Sequence, residues 1–340
     1  MILSIREVNV ENYRKHNYTA HHCQPPDRIL KLTEGGHLWY LNAKPPGSTH
    51  TPQRRDGKGG DMGRKIRIGA LISGGGSNLQ AIIDACEAGR IDADMAFVGS
   101  DQPGAKGLER ARKHHIPSFV VAYGPLIQSY ARDPAAFALP DDLQLDDIAA
   151  KQHLMATDTP ADRVRAFVST RAAAEQRLLS EIDRHGPVDL LVLAGFMRNL
   201  TPYFIDRFNT DPDRPRIMNI HPAILPAFPG VDGYGDTYRY GCKVAGCTVH
   251  FIDYGEDSGP IIGQRAFPIL AADTLQDVKR KGLEQEWQLY PECIQQFAEG
   301  ALQTVRMTHA QDNGAIYQRT VVTIAQPEGD QGRPQGPRNA

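Results

Sequence analysis

The chain has 340 residues, enough to bury a full core, and its formal net charge of -2 with a pI near 6.6 supplies no basic field of the kind nucleic-acid binding needs. Cys23, Cys86, Cys242, Cys247 and Cys293 are few and odd in number, which suits reduced thiols in a cytosol rather than a disulfide frame. No apolar run reaches transmembrane length and residues 1–20 lack the apolar core of a signal peptide, so the expectation is a cytoplasmic protein with no membrane partner.

Residues 1–63 are polar and aperiodic, closing on Pro45-Pro46-Gly47 and Arg54-Arg55-Asp56-Gly57-Lys58-Gly59-Gly60, and are expected to form a disordered extension. Met62 stands immediately before the first apolar run and is the expected start of translation; native peptides upstream of it would refute this. From Ile66 the pattern alternates between strand and helix. Strand Ile66 to Ile72 is followed by helix Ser77 to Ala88, strand Met95 to Ser100, helix Ala105 to His114 and strand Ser118 to Ala122. A long interruption at 124–168, broken by Pro134 and Pro140 and carrying Asp141-Asp142 and Asp146-Asp147, reads as a partly helical insertion, a solvated surface elaboration in preference to a lid or dimer arm. Alternation then resumes with helix Thr170 to Arg184, buried strand Asp189 to Ala194, a helix around Pro202 to Phe208, and strand Arg216 to His221. Two β-rich runs, Ala245 to Ile252 and Pro260 to Ile269, follow as a candidate hairpin. Helix Thr274 to Ala298 comes next, with Asp273 or Thr274 as N-cap. The polar stretch 311–340, rich in Gln, Gly and Pro, is expected to be a disordered tail. The pattern predicts an α/β fold, Rossmann-like, whose mostly parallel twisted sheet carries helices on both faces, in a single domain at 64–310 with flexible termini.

Chemistry gathers at Met218-Asn219-Ile220-His221-Pro222-Ala223-Ile224-Leu225-Pro226 and, further on, at Asp257-Ser258-Gly259-Pro260. Side chains alternate faces along a strand, so Asn219 and His221 point one way while Met218 and Ile220 point into packing. Pro222 holds His221 extended and stops the strand, which leaves both polar groups at a strand's carboxyl end, where open α/β sheets bind ligands. Asn219, His221 and a glycine-flanked Asp257 then offer an oxyanion donor, a proton-transfer group and a carboxylate to orient it. Taken singly, His221 reads as a satisfied core histidine and Asn219 as a buried strand amide; it is their combination that points to acyl transfer.

Ser73-Gly74-Gly75-Gly76-Ser77-Asn78-Leu79 joins the first strand to a helix N-terminus and makes an anion site better suited to a monophosphate than to a dinucleotide. The same residues equally make a plain tight turn with Ser77 as helix cap. Cys242 and Cys247 with His250 suggest a metal, but no second ligand pair follows and the segment reads as strand, so structural thiols and no metal are expected.

Four ordered motifs, Ser73 to Gln80, Ala194-Gly195-Phe196-Met197-Arg198, Asn219 to Pro226, and Asp257 to Ile261, strongly resemble the phosphoribosylglycinamide formyltransferases, over about Lys65 to Leu302. The resemblance implies direct transfer of a formyl group from 10-formyltetrahydrofolate, as co-substrate, to the amine of glycinamide ribonucleotide in purine biosynthesis. By the same resemblance Asn219, His221 and Asp257 are catalytic, and Gly76, Ser77, Asn78 and, less directly, Arg171 hold the ribose phosphate. Glu286 contacts the glycinamide end. Met197, Arg198, Asn199 and Leu200, with the backbone near Tyr254 to Asp257, form the folate pocket. The expected partners are small molecules, and the expected state a monomer or homodimer. Ala223 stands where serine is usual, Gly75 where asparagine is common, and the segment from Phe228 to Thr237 departs from the bacterial pattern. Hydrolysis of 10-formyltetrahydrofolate at the same three residues, or a non-catalytic phosphate-binding module of the same fold, are the alternatives.

Overall fold

The computed structural model describes residues 64–325 except 212, 312 and 313; the expectations for 1–63, for Met62 and for the tail beyond Ala325 lie outside the described residues. A seven-stranded sheet of order β3-β2-β1-β4-β5-β6-β7 forms the core. Its strands are β1 (Ile66–Ile72), β2 (Ala93–Ser100), β3 (Ser118–Val120), β4 (Leu190–Leu193), β5 (Ile217–His221), β6 (Val244–Phe251) and β7 (Ile261–Pro268). The first five run parallel and the last two antiparallel, so β6 and β7 do form the expected hairpin.

The strands are apolar on both sides because both sides are covered. Along β4, Leu190 and Val192 enter one core with Ile68, Ala70, Met218 and Ile220, while Leu191 and Leu193 enter the other with Leu71, Phe97 and Ile217. Helices α1 (Ser77–Glu87), α2 (Lys106–Lys113) and α8 (Leu275–Ala298) are associated with the first core; α3 (Tyr123–Arg132), α5 (Ala161–Arg184) and α6 (Pro202–Phe208) belong to the second. α8 opens with a capping box in which the Thr274 hydroxyl accepts from Asp277 N–H and the Asp277 carboxylate accepts from Thr274 N–H. The hydroxyl of Tyr290, fully buried on α8, donates to the Met218 carbonyl at 2.8 Å and anchors the helix to β5. Among the described residues no helix is long and apolar enough to cross a membrane.

Four differences from the sequence reading have physical causes. The interval 124–168 is not a separate surface elaboration: α3 and α4 (Leu145–Lys151) fold back, and Ile148 packs with Val168, Ala172 and Tyr203. α5 begins at Ala161, eight residues inside that interval, because burial of its Val164 and Val168 face outweighs a polar run that masked the helical period. α7 (Gly233–Tyr240) fills a segment assigned no element; its glycine-rich start hides helical propensity, and packing of Tyr234 against Ala245, Phe267 and Val278 supplies the stability instead. The stretch from 311 was expected to lack structure, yet β8 (Leu302–Ala310) and β9 (Ile316–Ile324) pair antiparallel over their full length. Strand pairing here orders residues of mixed polar and apolar composition, many of them β-branched.

Candidate active site

β5 ends against β6 with Asn219 directly opposite His250. The His250 Nδ1 lies 2.9 Å from the Phe251 carbonyl and so carries a proton; its Nε2 then accepts from the Asn219 amide at 3.2 Å. That bond fixes the amide of Asn219, which lines the cavity. Sequence reasoning considered His250 only as a metal ligand. Cys247 points into the opposite core from His250, so β6 alternation separates that pair.

The loop between β6 and β7 delivers Asp257. Gly259 is required there, since a Cβ would sit 1.8 Å from the Phe251 carbonyl oxygen, and Asp257 itself adopts a left-handed φ of 49°. That turn carries the Asp257 Oδ2 to 3.1 Å from His221 Nδ1 and 2.8 Å from the Gly230 N–H, which donates to it. The other His221 nitrogen, Nε2, donates to the Phe228 carbonyl at 2.8 Å. Both ring nitrogens therefore face acceptors, the arrangement an imidazolium needs.

Electrostatics agree with this geometry. Desolvation is the largest influence on His221 and pulls its pKa down, but the hydrogen bond and charge of Asp257 and the Phe228 carbonyl together raise it above the ordinary 6.5. For Asp257 burial pushes upward, and the bond from His221 with the backbone donor at Gly230 overcomes it, holding the carboxyl well below the usual carboxylate range.

A cavity of about 450 Å³ opens in front of these groups. The glycine turn lines part of it. Gly76, not Ser77, is the N-cap of α1, at φ 69°, with no side-chain cap; a Cβ there would stand 2.8 Å from the Gly107 Cα. The N-terminus of α1 thus faces the cavity with the positive end of its dipole. Asn78 donates to Glu286 Oε2 at 2.6 Å, and Tyr234 donates to Oε1 at 2.7 Å. Burial is the main cause of the raised pKa of Glu286, opposed by those two donors and by His221.

Arg171 is elsewhere. Its guanidinium stacks over Tyr123 and Phe167 at 5.3 and 5.2 Å, is desolvated, and is not on the cavity wall, because the early start of α5 and the fold-back of α3 enclose it. The cation that does line the cavity beside Glu286 is Lys279, two turns earlier on α8, with Nζ 3.1 Å from Asp232. Spacing of seven along a helix was the available signal for it.

Met197, Arg198, Asn199 and Leu200 all line the cavity as well. Met197 N–H donates to Ser73 Oγ at 2.8 Å, and Arg198 Nε donates to Asp101 Oδ2 at 2.6 Å. Asn199 reaches Glu256 at 3.5 Å. Among the described residues the cluster with metal-ligand spacing is Asp84, Glu87 and His114, which lines no part of this cavity, and its imidazole is already bonded to Glu87 and Gln80.

A mostly parallel open sheet with amide, imidazole and carboxylate converging beyond its strand ends defines an α/β enzyme of group transfer. The chain belongs to the formyl transferase family, whose model matches residues 66–294. Among curated proteins it is 34% identical over 232 residues to phosphoribosylglycinamide formyltransferase of Bacillus subtilis (strain 168), covering 68% of this chain and 93% of that one. The corresponding protein of Haemophilus influenzae is 35% identical over 236 residues, 69% of this chain and 89% of its own length. Among solved structures, glycinamide ribonucleotide transformylase 1 from Symbiobacterium toebii superposes with a TM-score of 0.53 at 37% identity, covering 78% of this chain and 96% of that one.

Proposed function

We infer that the chain transfers the formyl group of 10-formyltetrahydrofolate to the primary amine of glycinamide ribonucleotide. The observation that carries this is the His221–Asp257 pair standing beside Asn219 in a cavity that also reaches the glycine turn of α1. The relatives of matching length, named as phosphoribosylglycinamide formyltransferases, support the same substrates.

The amine nitrogen attacks the formyl carbon, and the carbonyl oxygen becomes an oxyanion. Asn219, its amide held by His250, donates its free N–H to that oxygen. Protonated His221, which lines the same cavity with its ring nitrogens engaged by Asp257 and the Phe228 carbonyl, supplies positive charge that favours the oxyanion. Asp257 keeps the imidazole charged and oriented, and assists movement of the amine proton toward the departing folate nitrogen as the carbon–nitrogen bond to folate breaks. Folate brings the activated carbon, and the protein contributes placement and charge. No covalent bond to the enzyme is needed.

Gly76, Ser77 and Asn78 hold the ribose phosphate through backbone donors at the helix start, and Lys279 supplies the positive charge that Arg171, enclosed under Tyr123, does not. Glu286 receives the glycinamide end. Met197 to Leu200 and the loop from Tyr254 to Asp257 flank the folate. A protein of this kind works in the cytoplasm on small molecules.

The test mixes purified protein with 10-formyltetrahydrofolate, with and without glycinamide ribonucleotide, and follows tetrahydrofolate release. Release that requires the amine supports the transferase. Equal release without it supports the hydrolase, and phosphate-site binding with no turnover supports the silent module.

A further inference from the structure

The interval 124–168 contains a segment, at residues 151–155, that reaches the cavity. α4 stops at Lys151, whose ammonium lies 2.8 Å from Asp147 and 3.4 Å from Asp206. Gln152, buried, accepts at its Oε1 from the N–H groups of Leu154 and Met155, each at 2.9 Å, and so bends the chain sharply. His153 N–H then donates to the Tyr254 carbonyl at 2.8 Å, forming a one-residue parallel bridge with Gly255 in the loop that carries Asp257. The next side chain, Leu154, emerges half-buried on the cavity wall. Tyr254 is fixed from the other side by a bond from its hydroxyl to Asp206.

We propose that the insertion builds one wall of the compartment for the formyl donor, with Leu154 as the residue that touches the donor and determines specificity for it. Adjacency selects the substrate concerned. His153, next to Leu154, is bridged to Gly255 in the 252–257 loop, and Asn199 joins that loop to the 197–200 segment through Glu256, whereas Glu286 is bonded to Asn78 and Tyr234. The ligand chemistry that suits an aliphatic side chain here is a flat heteroaromatic or aryl face, which a folate has and a ribose phosphate lacks. Gln152 acts as a positioning residue, since it holds the backbone of residues 154 and 155 without lining the cavity itself.

This rests on the transferase reading, and the experiment separates the two. Wild-type, Leu154→Ala and Leu154→Met proteins are compared in steady-state kinetics with both substrates and in calorimetric titration with tetrahydrofolate alone. An apolar pocket discriminates a methylene by roughly ten- to two-hundredfold, so for a half-buried contact Leu154→Ala is expected to raise the KM for 10-formyltetrahydrofolate and the Kd for tetrahydrofolate by about tenfold. The KM for glycinamide ribonucleotide and the melting temperature stay unchanged, and Leu154→Met, close to leucine in volume, restores folate affinity. Folate constants unaltered in Leu154→Ala, or both substrates weakened together, would overturn the proposal. Wild-type protein that binds tetrahydrofolate without turning over its formyl form would sink the transferase reading and leave the wall to be judged by the titration. Wild-type protein that does not bind tetrahydrofolate would sink both.

Discussion

Replacing Asn219 by alanine removes two things at once, and they are measured separately. The first is the proposed oxyanion donor. Loss of one such donor typically lowers turnover by about a hundred- to a thousandfold, roughly 2.7–4 kcal/mol of transition-state stabilisation. The second is the amide that satisfies His250 Nε2, which is fully buried and whose nearest alternative, the Asp257 Oδ1, is an acceptor at 3.6 Å. Stranding a buried polar atom costs about 1–3 kcal/mol. At roughly 2–4 °C per kcal/mol for a domain of this size, the melting temperature should fall by about 2–12 °C. The double variant Asn219→Ala with His250→Phe separates the effects, since it removes the stranded nitrogen while leaving the donor absent. The assay is kcat from tetrahydrofolate release together with thermal unfolding. Turnover of Asn219→Ala within tenfold of wild type would refute the donor role, and unaltered melting would refute the His250 bond.

The pH dependence has a defined sign. His221 has a raised pKa, so the stability it contributes is fully present below its ordinary 6.5 and is lost as pH rises through the raised value; kcat should fall over the same window, and Asp257→Asn should move that limb to lower pH in a pH–rate profile. Glu175, fully buried and accepting from Thr201 N–H and hydroxyl, is pushed by burial up to about 7. Its protonated form is favoured by folding, so stability of about 3 kcal/mol present below 4.5 is lost by pH 7; denaturant titrations of wild type and Glu175→Gln should differ in slope across that interval. Gly76→Ala, which places a methyl 2.8 Å from Gly107 in a left-handed turn, should raise the KM for the ribonucleotide and lower the melting temperature, and steady-state kinetics with unchanged phosphate affinity would contradict it. Lys279→Ala should raise the ribonucleotide KM by about tenfold with the folate KM constant, whereas Arg171→Lys should alter stability and leave both constants alone.

What the sequence made legible was local. Period-two alternation foretold that Met218 and Ile220 turn inward while Asn219 and His221 share a face, because strand geometry depends on neighbours one and two residues away. The glycine turn and the α8 cap were legible for the same reason. Arg171 was not: its neighbours in sequence say nothing of Tyr123, which is brought over it only when α3 folds back. His250 escaped because its role depends on antiparallel register between β5 and β6, a long-range property. α7 and the β8–β9 hairpin escaped because tertiary packing, not composition, stabilises them.

On the proposed mechanism, the facing of Asn219 by His250 between β5 and β6 makes chemical competence hostage to pairing register. Sliding β6 by one residue would offer Val249 or Phe251 instead and send the imidazole into the opposite core, since strand faces invert with every step. A chain that had regained its helices but not this one antiparallel match would look native by far-ultraviolet dichroism and be inert. Recovery of turnover during refolding would then lag the dichroism signal, timing the closure of the sheet's final edge.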